Sequence, residues 1–213
     1  MLVPMSRPAR LAATVVLSVV AYVLLSAATP SLSWGHALAM SVSFVALPAL
    51  VMVVLGGSRP ALGRLDRWLP LSFAVYIPFM AWTLAYVPTD TAFFHDWAHI
   101  DGGASAMVER AAIVALGVAS VDFFCRAVVQ RTSADEWGDR TGCAVAMVAW
   151  MLGHVPELLW LPNVMGLPAG LAYVALAGLL GGYAYMRGGN VAGLMLGHAT
   201  LNWVTIVVAA MWT

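Results

Sequence analysis

Repeated apolar runs of about twenty residues most strongly constrain how this chain can fold. An α-helix of about 20 residues crosses the hydrocarbon core of a bilayer, and inside lipid the backbone must satisfy its own hydrogen bonds. The composition agrees, since 62% of the residues are hydrophobic and 9% are charged, against about 25% charged in a soluble domain. We therefore predict an all-α, polytopic transmembrane helix bundle of about seven spans, forming one integral-membrane domain over residues 1–213. The predicted spans are residues 11–28, 36–55, 70–86, 107–129, 142–161, 168–186 and 191–212.

The arginines predict how this bundle is oriented. With a cytoplasmic N-terminus, eight of the ten basic residues lie in inner segments, Arg110 lies in an outer segment and Arg126 lies within the membrane. This distribution follows the positive-inside rule, so we expect the N-terminus in the cytoplasm and the C-terminus outside. The net charge is zero, which excludes a basic surface for nucleic acid and leaves membrane lipid as the expected surroundings.

Three of the predicted spans each carry two side chains spaced four residues apart: Asp122 and Arg126, Trp150 and His154, and His198 and Asn202. This spacing places both members of a pair on one helix face. Charged groups cost several kcal/mol at membrane depth, so those that remain are usually functional. Helix rise places Asp122, His154 and His198 roughly 11–18 Å from the inner ends of their spans. We predict that the three faces line one cavity in the inner half of the bilayer, open toward the cytoplasm.

Each pair also has a structural interpretation. Asp122 and Arg126 could form an ion pair that joins two helices. His154 could be a buried histidine bonded to a neighbouring helix, and His198 with Asn202 could supply interhelical hydrogen bonds. A transporter or channel with a polar site at mid-membrane is a further alternative.

Together the three motifs resemble those of the CPBP family (CAAX proteases and bacteriocin-processing enzymes), which are glutamic-type intramembrane proteases. The family motifs are Glu-Glu-x-x-x-Arg, Phe-x-x-x-His and His-x-x-x-Asn or Asp. Here residues 121–126 are Val-Asp-Phe-Phe-Cys-Arg, residues 150–154 are Trp-Met-Leu-Gly-His and residues 198–202 are His-Ala-Thr-Leu-Asn. The resemblance covers about residues 107–213. It implies an endopeptidase that uses activated water on a hydrophobic peptide, prenylated or otherwise anchored to a membrane, which we expect to be a bacterial or archaeal cell membrane.

The resemblance also implies roles for these side chains. In the family, the first Glu and the first His activate water, while the second His and the Asn stabilise the oxyanion. Carried over, His154 shares the general-base task, and His198 and Asn202 donate to the developing oxyanion. Arg126 would pair with Asp122 and hold its helix in place.

Val121 stands where the family has its first, catalytic Glu, and valine cannot take up a proton. Asp122, which matches the second Glu about 100° around the helix, could act as the base instead. Glu157, three residues after His154, could supply the missing carboxylate, or could simply reach the lipid headgroups. The third possibility is an inactive family member that serves as a membrane binding or scaffold protein. We expect Val121 to face the cavity or to pack at its wall.

No cofactor is expected, although His154 and His198 could hold a divalent metal. His95 and His99 could also share a metal, because they are four residues apart; an interfacial amphipathic segment is the favoured interpretation there. The chain lacks the Gly-x-Ser-Gly, His-Glu-x-x-His and Gly-x-Gly-Asp motifs of serine, zinc and aspartyl intramembrane proteases.

Overall fold

A computed structural model describes residues 6–30, 32–54, 62, 66–154 and 163–212. Within these residues the main elements are all helices, here numbered in chain order. They are α1 (Arg7–Ser26), α2 (Trp34–Val54), α3 (Trp68–Thr89), α4 (Thr91–Ala98), α5 (Ile100–Trp137), α6 (Asp139–Gly153), α7 (Leu167–Gly188) and α8 (Val191–Met211). The predicted all-α membrane bundle is therefore confirmed.

Six of these helices are long and apolar enough to cross a membrane: α1, α2, α3, α5, α7 and α8. The predicted span 142–161 corresponds to α6, which has 15 residues. Residues 155–162 lie outside the described part of the chain. The predicted total of about seven spans is thus consistent with the structure.

The longest helix, α5, has 38 residues and lies at the centre of the bundle, where 72% of its most apolar window is buried. A π-helical segment, Phe123–Gln130, interrupts it directly after Asp122. We predicted that the span ends at residue 129, but the helix continues to Trp137. It ends before Gly138, because a φ of 85° at Gly138 is incompatible with a right-handed α-helix. The prediction failed because a change in polarity marks the end of the apolar surface and not the end of the helix.

Glycines on α8 allow α3 to approach closely. A Cβ atom at Gly197 would lie 2.7 Å from the carbonyl oxygen of Phe73 and 2.8 Å from the ring of Tyr76. Small residues permit such close helix packing in membranes. The close approach places Tyr76 of α3 beside His198 of α8.

Arg110 connects the segments at one end of the bundle. Its side chain is 4% exposed, donates from Nη1 to the carbonyl oxygen of Leu32 at 3.1 Å, and forms a second hydrogen bond with His99. Arg110 is therefore buried among connections at the end of the bundle that was predicted to lie outside. The side of the membrane on which it lies stays a prediction. A buried guanidinium is retained here because it satisfies polar groups of two different connections.

Candidate functional site

A cavity of about 290 Å³ lies between the helices that carry the three motifs. Val121 of α5, His154 after α6, and His198 and Asn202 of α8 line one part of its wall. The structure thus brings together the imidazoles and the amide that the spacing placed on separate faces. Val121 faces the cavity as expected, and its side chain is 8% exposed.

Asp122 lies behind this wall. It is completely buried, does not line the cavity, and accepts a hydrogen bond at Oδ2 from Nδ1 of His198 at 3.0 Å. Tyr76 donates its hydroxyl to Oδ1 of the same carboxylate at 3.3 Å. The expectation that Asp122 faces the cavity is therefore wrong. Asp122 is about 100° around the helix from Val121, so it faces α3 and α8 instead.

His198 is held on three sides. Its ring is stacked on Tyr76, with centroids 5.0 Å apart and planes 7° apart, and the Trp150 ring lies 5.3 Å away. An ionised carboxylate only accepts hydrogen bonds, so Nδ1 of His198 carries the proton toward Asp122. Nε2 is then the acceptor nitrogen.

His154 is also held by a hydrogen bond from its Nδ1, but the acceptor is a neutral backbone carbonyl. Its Nδ1 donates to the carbonyl oxygen of Trp150 at 2.8 Å, and its ring stacks on the Trp150 indole at 4.1 Å. The rings of His154 and His198 are 6.0 Å apart and inclined by 21°. Within the described part of the chain, no side chain or backbone group bonds to Nε2 of either ring.

Trp150 is the fully buried platform under these imidazoles, and α7 fixes its position. Its Nε1 donates to the carbonyl oxygen of Val174 at 3.1 Å. Gly178 leaves room for the indole, since a Cβ atom there would lie 2.7 Å from Cδ1 of Trp150. The guanidinium of Arg126 lies 5.2 Å from the indole centroid, which is a cation–π distance.

Arg126 joins α5 to α7 and does not pair with Asp122. Its Nη2 donates to the carbonyl oxygen of Gly178 at 2.8 Å, and its Nη1 donates to Gln130 at 3.4 Å. The described residues contain no Asp122–Arg126 contact within ion-pair distance, so the expected pair is wrong. Asp122 bonds to Tyr76 of α3 and His198 of α8, whereas Arg126 bonds to Gly178 of α7. The two charges therefore have separate partners although they are four residues apart.

Comparison with known families identifies the region that carries this site. Residues 107–204 match the family model "Type II CAAX prenyl endopeptidase Rce1-like". We call residues 107–204 the Rce1-like region after this match. The resemblance to the CPBP family is therefore confirmed over these residues, which contain all three motifs. No curated protein and no solved structure matches the chain. At the level of the family, the match supports an intramembrane protease of the CAAX type.

Residues outside the Rce1-like region also line the cavity, and sequence analysis missed them. They include Tyr22 of α1, His36 of α2 and Tyr76 of α3. The Tyr22 hydroxyl and Nε2 of His36 are 3.4 Å apart. His36 and Tyr76 were single polar side chains in generic apolar runs, with no spacing partner to single them out.

The cavity also extends further than predicted. Leu32, Phe94 and Trp97, from the end predicted to lie outside, line it. None of the described residues in 130–141 or 187–190, at the other end, does so. The cavity therefore reaches the end of the bundle that was predicted to lie outside, and its position in the inner half of the bilayer stays a prediction. Depths counted along single helices give no information on the space between them.

Asn202 lines the cavity, and its side-chain amide donates one hydrogen bond within α8. Its Nδ2 donates to the carbonyl oxygen of His198, one turn earlier on α8, at 3.0 Å. The amide nitrogen has a second N–H. That N–H can donate to a group in the cavity.

The described residues contain no cluster of three or more His, Cys, Asp or Glu side chains suited to a metal ion. His95 bonds to the carbonyl oxygen of Ala209, and His99 bonds to Arg110, so these two imidazoles have separate partners. A metal between His154 and His198 would have two imidazole ligands, fewer than the three or four protein ligands usual for zinc. The expectation of no cofactor stays a prediction. Glu157 lies outside the described residues.

Proposed function

We propose that this Rce1-like protein is an intramembrane endopeptidase that hydrolyses a peptide bond of a membrane-associated substrate with an activated water. The observation that carries the proposal is the pair of imidazoles facing one cavity. Their ring centroids are 6.0 Å apart, and both rings line the same cavity. We place the attacking water in this cavity, between the two side chains.

The chemistry follows from this arrangement. This water attacks the carbonyl carbon of the scissile peptide bond, and the carbonyl oxygen becomes an oxyanion. The second N–H of Asn202 donates to this oxygen, a stabilisation that needs a donor already in place.

The proposed substrate is a hydrophobic peptide that is prenylated or otherwise anchored in the membrane. Support comes from the apolar part of the cavity wall, which includes Ile113, Val114, Val118 and Leu201. Apolar pockets with few polar groups bind apolar ligands and orient them through those groups. We also propose the sidedness that the arginines predict, with the N-terminus in the cytoplasm.

The test is hydrolysis of membrane-anchored, fluorogenic CAAX-type peptides by the purified protein in liposomes. His154→Ala and His198→Ala should each abolish cleavage. His95→Ala is the matched control, because His95 bonds to Ala209 and does not line the cavity. Cleavage that survives both cavity substitutions would rule the mechanism out.

The alternative is an inactive family member that binds or scaffolds membrane proteins. Val121 favours it, because the cavity wall has an aliphatic side chain where the resemblance expects a carboxylate. In that case the wild-type protein cleaves none of the peptides. Gain of hydrolysis in Val121→Glu would then identify an enzyme that has lost its base.

A further inference from the structure

We propose that His198 is the general base of this protein and that Asp122 is the positioning residue that enables it. This inference rests on the proposed peptidase function. It reverses the role that the resemblance implies for His198, which was that of an oxyanion donor. It also explains how water can be activated although Val121 occupies the position of the catalytic Glu.

The first step in the argument is the location of Asp122. Its carboxylate is completely buried and does not line the cavity, so it cannot contact water or substrate there. Its Oδ2 lies 3.0 Å from Nδ1 of His198, whose ring does line the cavity. Asp122 can therefore influence the reaction only through the cavity-lining side chains that bond to it, His198 and Tyr76. Of these two, His198 can act as a base.

The second step is the orientation of His198. The bond to Asp122 holds the proton on Nδ1, so Nε2 carries a lone pair. An imidazole in this tautomer presents an acceptor to the cavity and not the donor that an oxyanion requires. When Nε2 takes up a proton, the carboxylate stabilises the resulting imidazolium, as in the Asp–His pair of serine proteases.

The third step distinguishes the two histidines. His154 bonds through Nδ1 to the neutral carbonyl oxygen of Trp150 and has no carboxylate partner among the described residues. A positive charge is therefore better stabilised on His198, and His154 orients the water.

Tyr76 completes the positioning of the pair. Its hydroxyl bonds to the second carboxylate oxygen of Asp122, and its ring stacks on His198. Both partners are thus held by one side chain of α3. General bases depend on such fixed geometry toward the proton that they remove.

The reaction balances without any further reactant. His198 Nε2 takes a proton from water as the water oxygen bonds to the carbonyl carbon, and the π electron pair moves to the carbonyl oxygen. The tetrahedral intermediate collapses, the C–N bond breaks, and Nε2–H gives its proton to the leaving nitrogen. The products are a carboxylic acid and an amine, and His198 returns to its neutral form.

The experiment measures kcat and KM for a membrane-anchored fluorogenic peptide with the full-length protein in liposomes. Asp122→Asn should lower kcat by roughly 10²–10⁴-fold, as expected when a base loses its orienting carboxylate, with little change in KM. Asp101→Asn is the control, since Asp101 is exposed and away from the cavity. The double variant Val121→Glu/Asp122→Asn should recover much of the lost kcat, because it places a carboxylate directly on the wall.

The single variant Val121→Glu retains Asp122. It therefore tests the inference even if Asp122→Asn fails to fold. Val121 lines the cavity, so the longer side chain of Glu can extend into that space. If His198 is already the base, Val121→Glu should raise kcat by much less than the roughly 10²-fold that a newly acquired base contributes.

The outcomes separate this inference from the proposed function. An active wild type whose kcat is unchanged by Asp122→Asn overturns the inference and leaves the peptidase intact. The same holds if Glu157→Gln abolishes kcat and Asp122→Asn does not. A purely structural role would lower the melting temperature of Asp122→Asn without rescue by Val121→Glu, which also overturns the inference. Absence of wild-type cleavage contradicts the proposed function itself.

Discussion

Gly178 of α7 lies against the indole of Trp150 and does not line the cavity. A larger residue at position 178 should therefore change the cavity indirectly, by displacing Trp150. In Gly178→Ala the new methyl would lie 2.7 Å from Cδ1 and 3.1 Å from Cγ of Trp150. Carbon atoms in contact are normally about 3.5–4.0 Å apart. The buried ring must therefore move by about 1 Å, since the backbone of α7 is held within the bundle.

This displacement sets the size of the expected effect. It would lengthen the 3.1 Å bond from Trp150 Nε1 to Val174 beyond hydrogen-bond range. An interhelical hydrogen bond in a membrane protein contributes about 0.6–1.7 kcal/mol, and overpacking a core costs about 1–3 kcal/mol. We expect a loss of roughly 2–4 kcal/mol in the free energy of unfolding. His154 stacks on the displaced ring, so the rate of hydrolysis should fall by about 10²-fold.

Unfolding in detergent micelles and peptide hydrolysis in liposomes measure the two effects. Leu179→Ala, on the adjacent lipid-facing position with 45% exposure, is the control and should change the rate little. Gly178→Ala should cost less in a Trp150→Phe background, because the smaller ring leaves room for the methyl. Wild-type stability and activity in Gly178→Ala, or strict additivity with Trp150→Phe, would refute the reasoning.

Three further substitutions test other contacts. Gln130→Ala removes the 2.7 Å hydrogen bond to the carbonyl oxygen of Gly182. The free energy of unfolding should fall by about 1–2 kcal/mol. An unchanged denaturation midpoint would contradict this expectation. Tyr76→Phe removes one of the two hydrogen bonds to Asp122. The kcat of this variant should fall, but by less than in Asp122→Asn. An equal loss would show that the hydroxyl is as important as the carboxylate. Arg110→Ala removes the hydrogen bond to the carbonyl oxygen of residue 32. Hydrogen exchange of the backbone amides next to residue 32, measured by mass spectrometry, should become faster. Unaltered exchange would show that Arg110 does not hold this connection.

The spans and the motif-bearing faces could be predicted from the sequence because both depend on local properties. The length of an apolar run is matched to the thickness of the bilayer. The four-residue spacing of His198 and Asn202 places both on the cavity side of one helix, and both line the cavity. The same spacing failed for Asp122 and Arg126, because each bonds to a different neighbouring helix, and spacing along one helix does not show this.

Only the tertiary structure decided which side chains meet. It placed Val121 on the cavity wall and its neighbour Asp122 behind that wall against His198. It also brought His36 and Tyr76 to the cavity from helices outside the Rce1-like region. Lipid chains are as apolar as the helix surfaces, so hydrophobicity does not indicate which face turns inward. Close packing and interhelical hydrogen bonds determine the rotation of each helix, and these depend on partners far away in the chain.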